Sequence, residues 1–359
     1  MQDASLALAE PPQAGQDLRG LHYPFGRWTP EPGKLHPVAD GVFWLRMPLP
    51  FSLNHINLWV LEDGNGWAIV DTGLNAPNCK AIWRDLFAGP MAGRPVTRVI
   101  VTHYHPDHLG LAGWLTHRWG VPLEIARAEF LLARVLTLDV AEAPPQAAVE
   151  FYARSGWPEE AVERMKAQNW GRFGMAVSRL PLGYSRIAEG DVLTIGGRAW
   201  RVVTGSGHSP EHSCLVCDEA GLMISGDQVL PRITSNVSVY PTEPGGNPLA
   251  DWLASLAKLE TLAPDLRVLP AHNEPFERLH ERTEQLRADH MRKLDALEVR
   301  LADGPHSAFE CFETLFGRTI KADEIMMATG EALAHLHWLE REGRVQRVSD
   351  DRVDRFVRV

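Results

Sequence analysis

A chain of 359 residues, 45% apolar and 23% charged, has ordinary globular composition and material for about two domains or one large α/β domain. Its formal net charge of −10 gives no long-range attraction to phosphate polymers, which disfavours general nucleic-acid binding but leaves a local basic patch open. Four cysteines make no disulfide framework, no apolar run reaches the roughly 18 residues of a membrane span, and Met1 to Pro12 lacks the basic start and apolar stretch of a signal peptide, so a cytoplasmic enzyme without a membrane partner is expected.

Residues 1 to about 37 are rich in Pro, Gly and polar residues and predict an irregular arm. Strand patterns follow at 41–46, 56–61 and 67–70, the last two flanking a hairpin loop at Asp63-Gly64-Asn65-Gly66. A helix with Trp83, Leu86 and Phe87 buried is expected next, then a strand from Arg98 to Thr102. Residues 120 to about 188 change to helical periodicity and carry Phe130, Phe151, Tyr152, Trp157, Trp170 and Phe173. They predict an inserted helical subdomain whose aromatics pack it against the core or line an apolar pocket. Strands resume at 191–195 and 199–204 around the turn Gly196-Gly197, then at 214–217 and 222–225. Cys214 and Cys217 form a CxxC, but residues three apart on a strand face opposite sides, so the pair predicts small strand hydrophobes and no shared metal. A helix at about 248–262, a strand at 266–269 and a long helix at 277–302 complete this region. Asp303-Gly304-Pro305 marks a boundary. The tail predicts helices at 306–316, 321–328 and 329–342 and a β-hairpin, a winged-helix-like pattern.

His103-Tyr104-His105-Pro106-Asp107-His108 places three histidines and an aspartate at the end of an apolar strand. Imidazole and carboxylate are the usual donors for zinc, iron or manganese. With the first part extended, His103 and His105 project to one side, while Asp107 and His108 turn toward a second position. That spacing suits two adjacent metals. His208, Asp227 and His272 each follow a further apolar strand through a short loop, and strand ends on one sheet edge converge on a common cleft. A lone histidine is more often structural than a ligand, but several ligand types in one context reverse that expectation.

On these residues the chain resembles the metallo-β-lactamase fold superfamily. His103-x-His105-x-Asp107-His108 is that family's HxHxDH motif. Its other ligand positions correspond to His208 in Gly207-His208-Ser209-Pro210, Asp227 in Ser225-Gly226-Asp227, and His272, and its early Asp-Thr-Gly to Asp71-Thr72-Gly73. The resemblance covers about residues 38–290. One departure is Pro270-Ala271-His272-Asn273, where many relatives have Pro-Gly-His-Gly. The resemblance implies an α/β fold, an αββα sandwich over residues 38–302 with the helical insertion at about 120–188, preceded by the arm 1–37 and followed by a small winged-helix-like domain at 303–359. It also implies two divalent metal ions, zinc first, with iron and manganese as alternatives. One would take His103, His105 and His208, the other Asp107, His108 and His272, with Asp227 between them. Asp71 would orient a ligand histidine or its loop from behind, a turn-forming role being the alternative, and His212 would stand either behind the ligands or on the substrate side. A hydroxide shared by the metals would attack a carbonyl or phosphorus centre, with Asp107 as the catalytic residue handling a proton. No GxSxG supplies a side-chain nucleophile.

Within the family, secreted β-lactamases usually lack an aspartate like Asp227, and flavodiiron reductases carry Glu where His105 stands. Mononuclear iron persulfide dioxygenases remain a minor alternative. Glyoxalase II-like thioesterases, lactonases and other ester hydrolases fit, as does a group with a winged-helix tail that includes a metal-dependent endoribonuclease, which makes phosphodiester cleavage the runner-up. From Pro305 to Val359 eight Arg and Lys stand against ten Asp and Glu, a net of −2. A winged helix that grips nucleic acid is normally basic, so the tail is expected to pack, to form a homodimer or to shape a pocket. A DNA-binding regulator with a degenerate site is disfavoured by the intact ligand set. The expected activity is hydrolysis of a carboxylic ester, thioester or lactone, with a small-molecule acyl substrate and nucleic acid disfavoured.

Overall fold

Alternation along the strands sorts the side chains into layers. In β-structure successive residues face opposite sides, so a strand apolar at every position must be covered on both. A computed structural model, which describes residues 14–51, 53–350 and 352–359, shows this arrangement. After a small hairpin of β1 (Gln16–Leu18) and β2 (Leu21–Tyr23) come β3 (Leu35–Ala39), β4 (Val42–Pro48), β5 (His55–Asp63), β6 (Gly66–Val70), α1 (Pro77–Ala88), β7 (Val96–Ile100), α2 (Pro106–Leu109), α3 (Ala112–Trp119) and β8 (Leu123–Ile125). The helices α4 (Arg127–Leu138), α5 (Gln146–Arg154), α6 (Glu159–Lys166) and α7 (Phe173–Ala176) precede β9 (Ser185–Arg186). Strands β3 to β9 form a seven-stranded sheet in chain order, antiparallel as far as β6 and parallel beyond it.

The second sheet has five strands, β10 (Val192–Ile195), β11 (Arg198–Gly205), β12 (His212–Cys217), β13 (Leu222–Gly226) and β14 (Arg267–Pro270), with α8 (Pro248–Leu259) between the last two. Only β13 and β14 pair in parallel. Trp44, Trp59, Ile100, Val202, Leu215, Ile224 and Leu269 pack between the sheets. The alternate residues Phe43, Leu45, Leu58 and Val99 face outward onto α1, α3 and α4, and Val203, Val216, Met223 and Val268 face the helices of the other side. The architecture is therefore the expected αββα sandwich. Cys214 lies in the outer cluster and Cys217 in the inner one, on opposite faces as expected. Gly196 and Gly197, at φ +59° and +77°, make the two-residue turn between β10 and β11, a conformation that glycine adopts without strain.

Before the tail, three details differ from the expectations. The arm expected to be irregular contains β1, β2 and most of β3 where it is described; residues 1–13 lie outside the described residues. The insertion is narrower than 120–188, because β8 and β9 at its ends belong to the first sheet. Those strands have three and two residues, too short for a periodic signal. Phe87 is only half-buried.

After α9 (Leu279–Leu301), the tail has α10 (Phe312–Phe316) and α11 (Ile325–Arg341) followed by a hairpin of β15 (Val345–Ser349) and β16 (Asp354–Arg358). The two helices expected at 321–328 and 329–342 are one continuous helix. Gly330 lies inside it, and its missing side chain admits Ser238, whose Cβ would lie 2.6 Å from a Cβ at this position. Leu315, Leu333, Leu336 and Phe356 of the tail share one core with Trp252, Leu256, Leu286 and Val216. Among the described residues no helix is long and apolar enough to cross a membrane.

Candidate metal centre

The antiparallel order of β11, β12 and β13 and the parallel pair β13–β14 put the end of β11, the start of β12 and the ends of β13 and β14 on one edge. The segment after β7 reaches the same edge, where the Ser213 amide donates to the Thr102 carbonyl at 2.9 Å. His103, His105, Asp107 and His108 arrive from the first sheet; His208, Asp227 and His272 arrive from the second. All seven converge. Donor atoms of His103, His105, His208 and Asp227 lie within 4.8 Å of one another, as do those of Asp107, His108 and His272.

Asp227 faces both groups. Its Oδ2 lies 3.5 Å from His208 Nε2, while its Oδ1 lies 3.4 Å from His272 Nε2 and 3.6 Å from His108 Nε2. Asp107 Oδ2 is 3.5 Å from His272 Nε2 and 3.8 Å from His108 Nε2. On the other side His103 Nε2 is 2.8 Å from His105 Nδ1 and 3.2 Å from His208 Nε2. Ring nitrogens aimed at one another satisfy at most one of each pair by hydrogen bonding. His108 Nε2 and Asp227 Oδ1 are buried with no hydrogen-bond partner. Buried polar atoms are ordinarily paired, so this donor set fits metal cations.

The opposite ring nitrogens are held from behind. His108 Nδ1 meets Asp71 Oδ2 at 2.7 Å, His208 Nδ1 the Asn236 carbonyl at 2.8 Å, and His272 Nδ1 the His55 carbonyl at 2.9 Å. Such contacts orient each imidazole so that Nε2 faces inward. Asp71 also accepts from the Thr102 amide and hydroxyl, and its backbone is left-handed at φ +62°. His212 Nε2 accepts from the Asp227 amide at 3.0 Å, which places it behind Asp227. Asn273 has φ +68°, a left-handed conformation that Asn tolerates better than most residues. This accounts for Asn where many relatives of the resembled family carry Gly.

Electrostatics show what the pocket wants. Burial pushes His103 well below the ordinary imidazole range and His105 down to about 3, leaving both as neutral donors. Burial also opposes charge on His272 and His108, but Asp227 and Asp107 beside His272 outweigh it and raise it to about 10. Asp71, Asp107 and Asp227 likewise hold His108 well above its usual range. Burial disfavours a charged Asp107, yet His108 and His272 hold it at about 2. The cluster demands positive charge, which protons and metal cations compete to supply.

Two residues that the sequence reading passed over complete the frame. Glu129, fully buried at the start of α4, accepts from the Tyr104 amide at 2.9 Å, the Ser209 hydroxyl at 2.7 Å and the Glu211 amide at 2.6 Å. It ties the His103–His108 loop of one sheet to the His208 loop of the other. Burial raises its carboxyl above the ordinary range, against the pull of those donors. Asn57 Nδ2 donates to the carbonyls of Pro270 at 2.9 Å and Asn273 at 2.6 Å, which fixes the loop on both sides of His272.

Gly226 turns the chain into Asp227 at φ +51°, and a Cβ there would sit 2.5 Å from His212 Nε2 and 3.0 Å from Thr102 Oγ1. Gly226→Ala is expected to destabilise the protein by about 1–3 kcal/mol and to lower kcat/KM by displacing Asp227. A denaturant midpoint equal to wild type would contradict the steric reading.

A cleft of about 520 Å³ opens beside His208, with Tyr104, Leu132, Pro210 and Tyr240 among its lining. Glu243 and Asp251 stand there too, and among the described residues no Lys or Arg does. Most insertion aromatics pack elsewhere. Phe130 stacks on Tyr184 at 4.1 Å between ring centres, and Tyr152 and Trp157 lie in a small cluster of their own. Phe173, 6.0 Å from Tyr104, comes nearest the ligand loop.

Residues 52–272 match the metallo-beta-lactamase superfamily, and residues 294–359 match the metallo-beta-lactamase-like C-terminal domain. A crystal structure of a beta-lactamase domain protein from Burkholderia ambifaria superposes with a TM-score of 0.88 at 43% identity, over 94% of this chain and 98% of that one. The probable metallo-hydrolase YqjP of Bacillus subtilis is 24% identical over 85% of this chain and 94% of its own length. The acyl-coenzyme A thioesterase MBLAC2 of Gallus gallus is 28% identical over 68% of this chain and 82% of its own.

Proposed function

Because the chain belongs to the metallo-β-lactamase superfamily, we propose that it is a two-metal hydrolase of carboxylic thioesters and esters, lactones included. That it is a metallo-hydrolase follows with the family. The finer reading rests above all on Asp227, whose two carboxylate oxygens face the two histidine groups. His103, His105 and His208 would hold one divalent ion, and Asp107, His108 and His272 the other. Zinc is the metal we assign, while iron and manganese suit the same donors. Such ions, when bound, supply a hydroxide nucleophile at neutral pH and an electrophile for the substrate carbonyl.

The chain's own residues set the rest. Asp71, Asn236 and His55 fix the ligand rings, so no reorientation is needed during turnover. Asp107 sits at the solvent side of its group, half-buried, where it can receive a proton from the incoming water. Tyr104, Leu132 and Pro210 offer the acyl group an apolar wall beside His208. Glu243 and Asp251, uncompensated by any cation in that cleft, repel a polyanion, which favours acyl over phosphodiester substrates. The name of MBLAC2 supports a thioester in particular.

A substrate panel tests this reading. Thioesters, esters and lactones are expected to be cleaved, chelator treatment to abolish turnover, and single-stranded RNA to stay intact. Cleavage of the RNA with the acyl compounds untouched would reverse the assignment.

A further inference from the structure

A second groove, of about 910 Å³, lies on the outer face of the first sheet between α1, α3, α4 and residues 178–182. Lys80, His117, Arg134 and Arg179 line it together with Trp114, and among the described residues no acidic one does. Arg84 and Arg118 stand over the Trp114 ring at 6.0 and 5.9 Å from its centre. In a chain of net charge −10, this is a local reversal of sign. Most arginines elsewhere meet carboxylates, as Arg94 meets Glu62 and Arg98 meets Glu124. Among the described residues none of the cations Lys80, Arg134 and Arg179 of the groove, nor Arg84 and Arg118 beside Trp114, has a carboxylate partner, and Arg134 donates to the Pro181 carbonyl at 3.5 Å. Unpaired like charges around one groove repel one another, a cost that an anionic ligand relieves.

The groove is joined to the metal centre by one strip of chain. Residues 173–182 begin with Phe173 against Tyr104, which stands between His103 and His105. The Ser178 amide then donates to the Gly110 carbonyl at 2.7 Å, at the end of α2, and the Arg179 backbone presses on α3 at Gly113, where a Cβ would lie 2.0 Å from its carbonyl oxygen. The strip ends in the groove at Leu180 to Leu182.

We propose that this groove holds the phosphorylated adenosine of a coenzyme A thioester, whose acyl end extends to the metal centre. The inference rests on the thioester reading above and names the carrier. Its chemistry is complementary on each side. Phosphates take charge-assisted hydrogen bonds from arginine and lysine, and an adenine ring takes the indole and guanidinium faces around Trp114. The cleft beside His208, with Glu243 and Asp251, cannot host those phosphates, so the acyl and nucleotide ends bind apart.

The test uses the full chain with its metals, and adenosine 3′,5′-bisphosphate as the probe. Calorimetry is expected to show saturable, salt-sensitive binding, weakened about tenfold in an Arg134→Gln/Arg179→Gln double variant. In the same variant the KM for an acyl-coenzyme A should rise about tenfold at unchanged kcat. The same acyl group on N-acetylcysteamine, which lacks the nucleotide, should be hydrolysed at the wild-type rate, and this also reports an intact fold and centre. Absent binding, equal binding of unphosphorylated adenosine, or an equal loss on both thioesters would overturn the assignment. So would a groove that retains single-stranded RNA or an acidic carrier protein but ignores the bisphosphate. Failure to hydrolyse any thioester would sink the proposed function, while the binding measurement would still decide the groove.

Discussion

If the chain is the two-metal hydrolase proposed above, Asp227→Ala is expected to lower kcat/KM by about a thousandfold or more and to leave one equivalent of bound metal or fewer where the wild type holds two. The carboxylate has one oxygen toward His208 and the other toward His272 and His108, so its loss takes a donor from both groups at once. It also removes the negative charge beside His272 that draws cations into the cluster. Removing Asp71 would act through a single ring and should cost less, about 10–100-fold. Elemental analysis of the purified variant, set beside its turnover, separates lost metal from lost chemistry. Near-normal turnover, or two equivalents retained, would mean that Asp227 does not join the sites.

The second large effect is expected at a residue that need not touch metal or substrate. Glu129→Ala leaves the Tyr104 and Glu211 amides and the Ser209 hydroxyl without their acceptor inside the protein. Each orphaned buried donor costs about 1–3 kcal/mol, so the three together should lower the denaturant midpoint severely. Because these donors flank His103, His105 and His208, the loops should also loosen and metal affinity fall by about 10–100-fold. Glu129→Gln keeps one acceptor oxygen and should be milder on both counts. An alanine variant with wild-type midpoint and metal content would show that the two loops hold themselves.

The contrast between Asp227 and Glu129 marks what could be read before any coordinates. Asp227 is legible because it shares a setting with His208 and His272, each placed just past an apolar strand. Glu129 stands in Arg127-Ala128-Glu129-Phe130, where a charged residue in the first turn of an amphipathic helix is ordinary. Its role exists only once β8 delivers α4 beneath both loops, a tertiary fact with no local pattern. The sandwich was legible for the same reason as Asp227, since alternate residues of β4, β5 and β11 must face two apolar layers. Gly330 carries no such signal, because a glycine required by close contact with Ser238 looks the same in sequence as any other. The cationic groove was equally hidden. Its charges come from four separate segments, and the chain's overall acidity argues against it until those segments are assembled.

The layered order has a consequence for synthesis. The first sheet and its helices are complete by β9, before any strand of the second sheet has been made. Its inner face, with Trp44, Trp59 and Ile100, is fully buried in the finished molecule but has no cover until Leu215, Ile224 and Leu269 emerge. A nascent chain paused in that interval presents a broad aromatic and aliphatic surface, the kind of species that aggregates and that chaperones shield. Over the same stretch of translation the bipartite ligand set is incomplete, because His208, Asp227 and His272 all come from the second sheet.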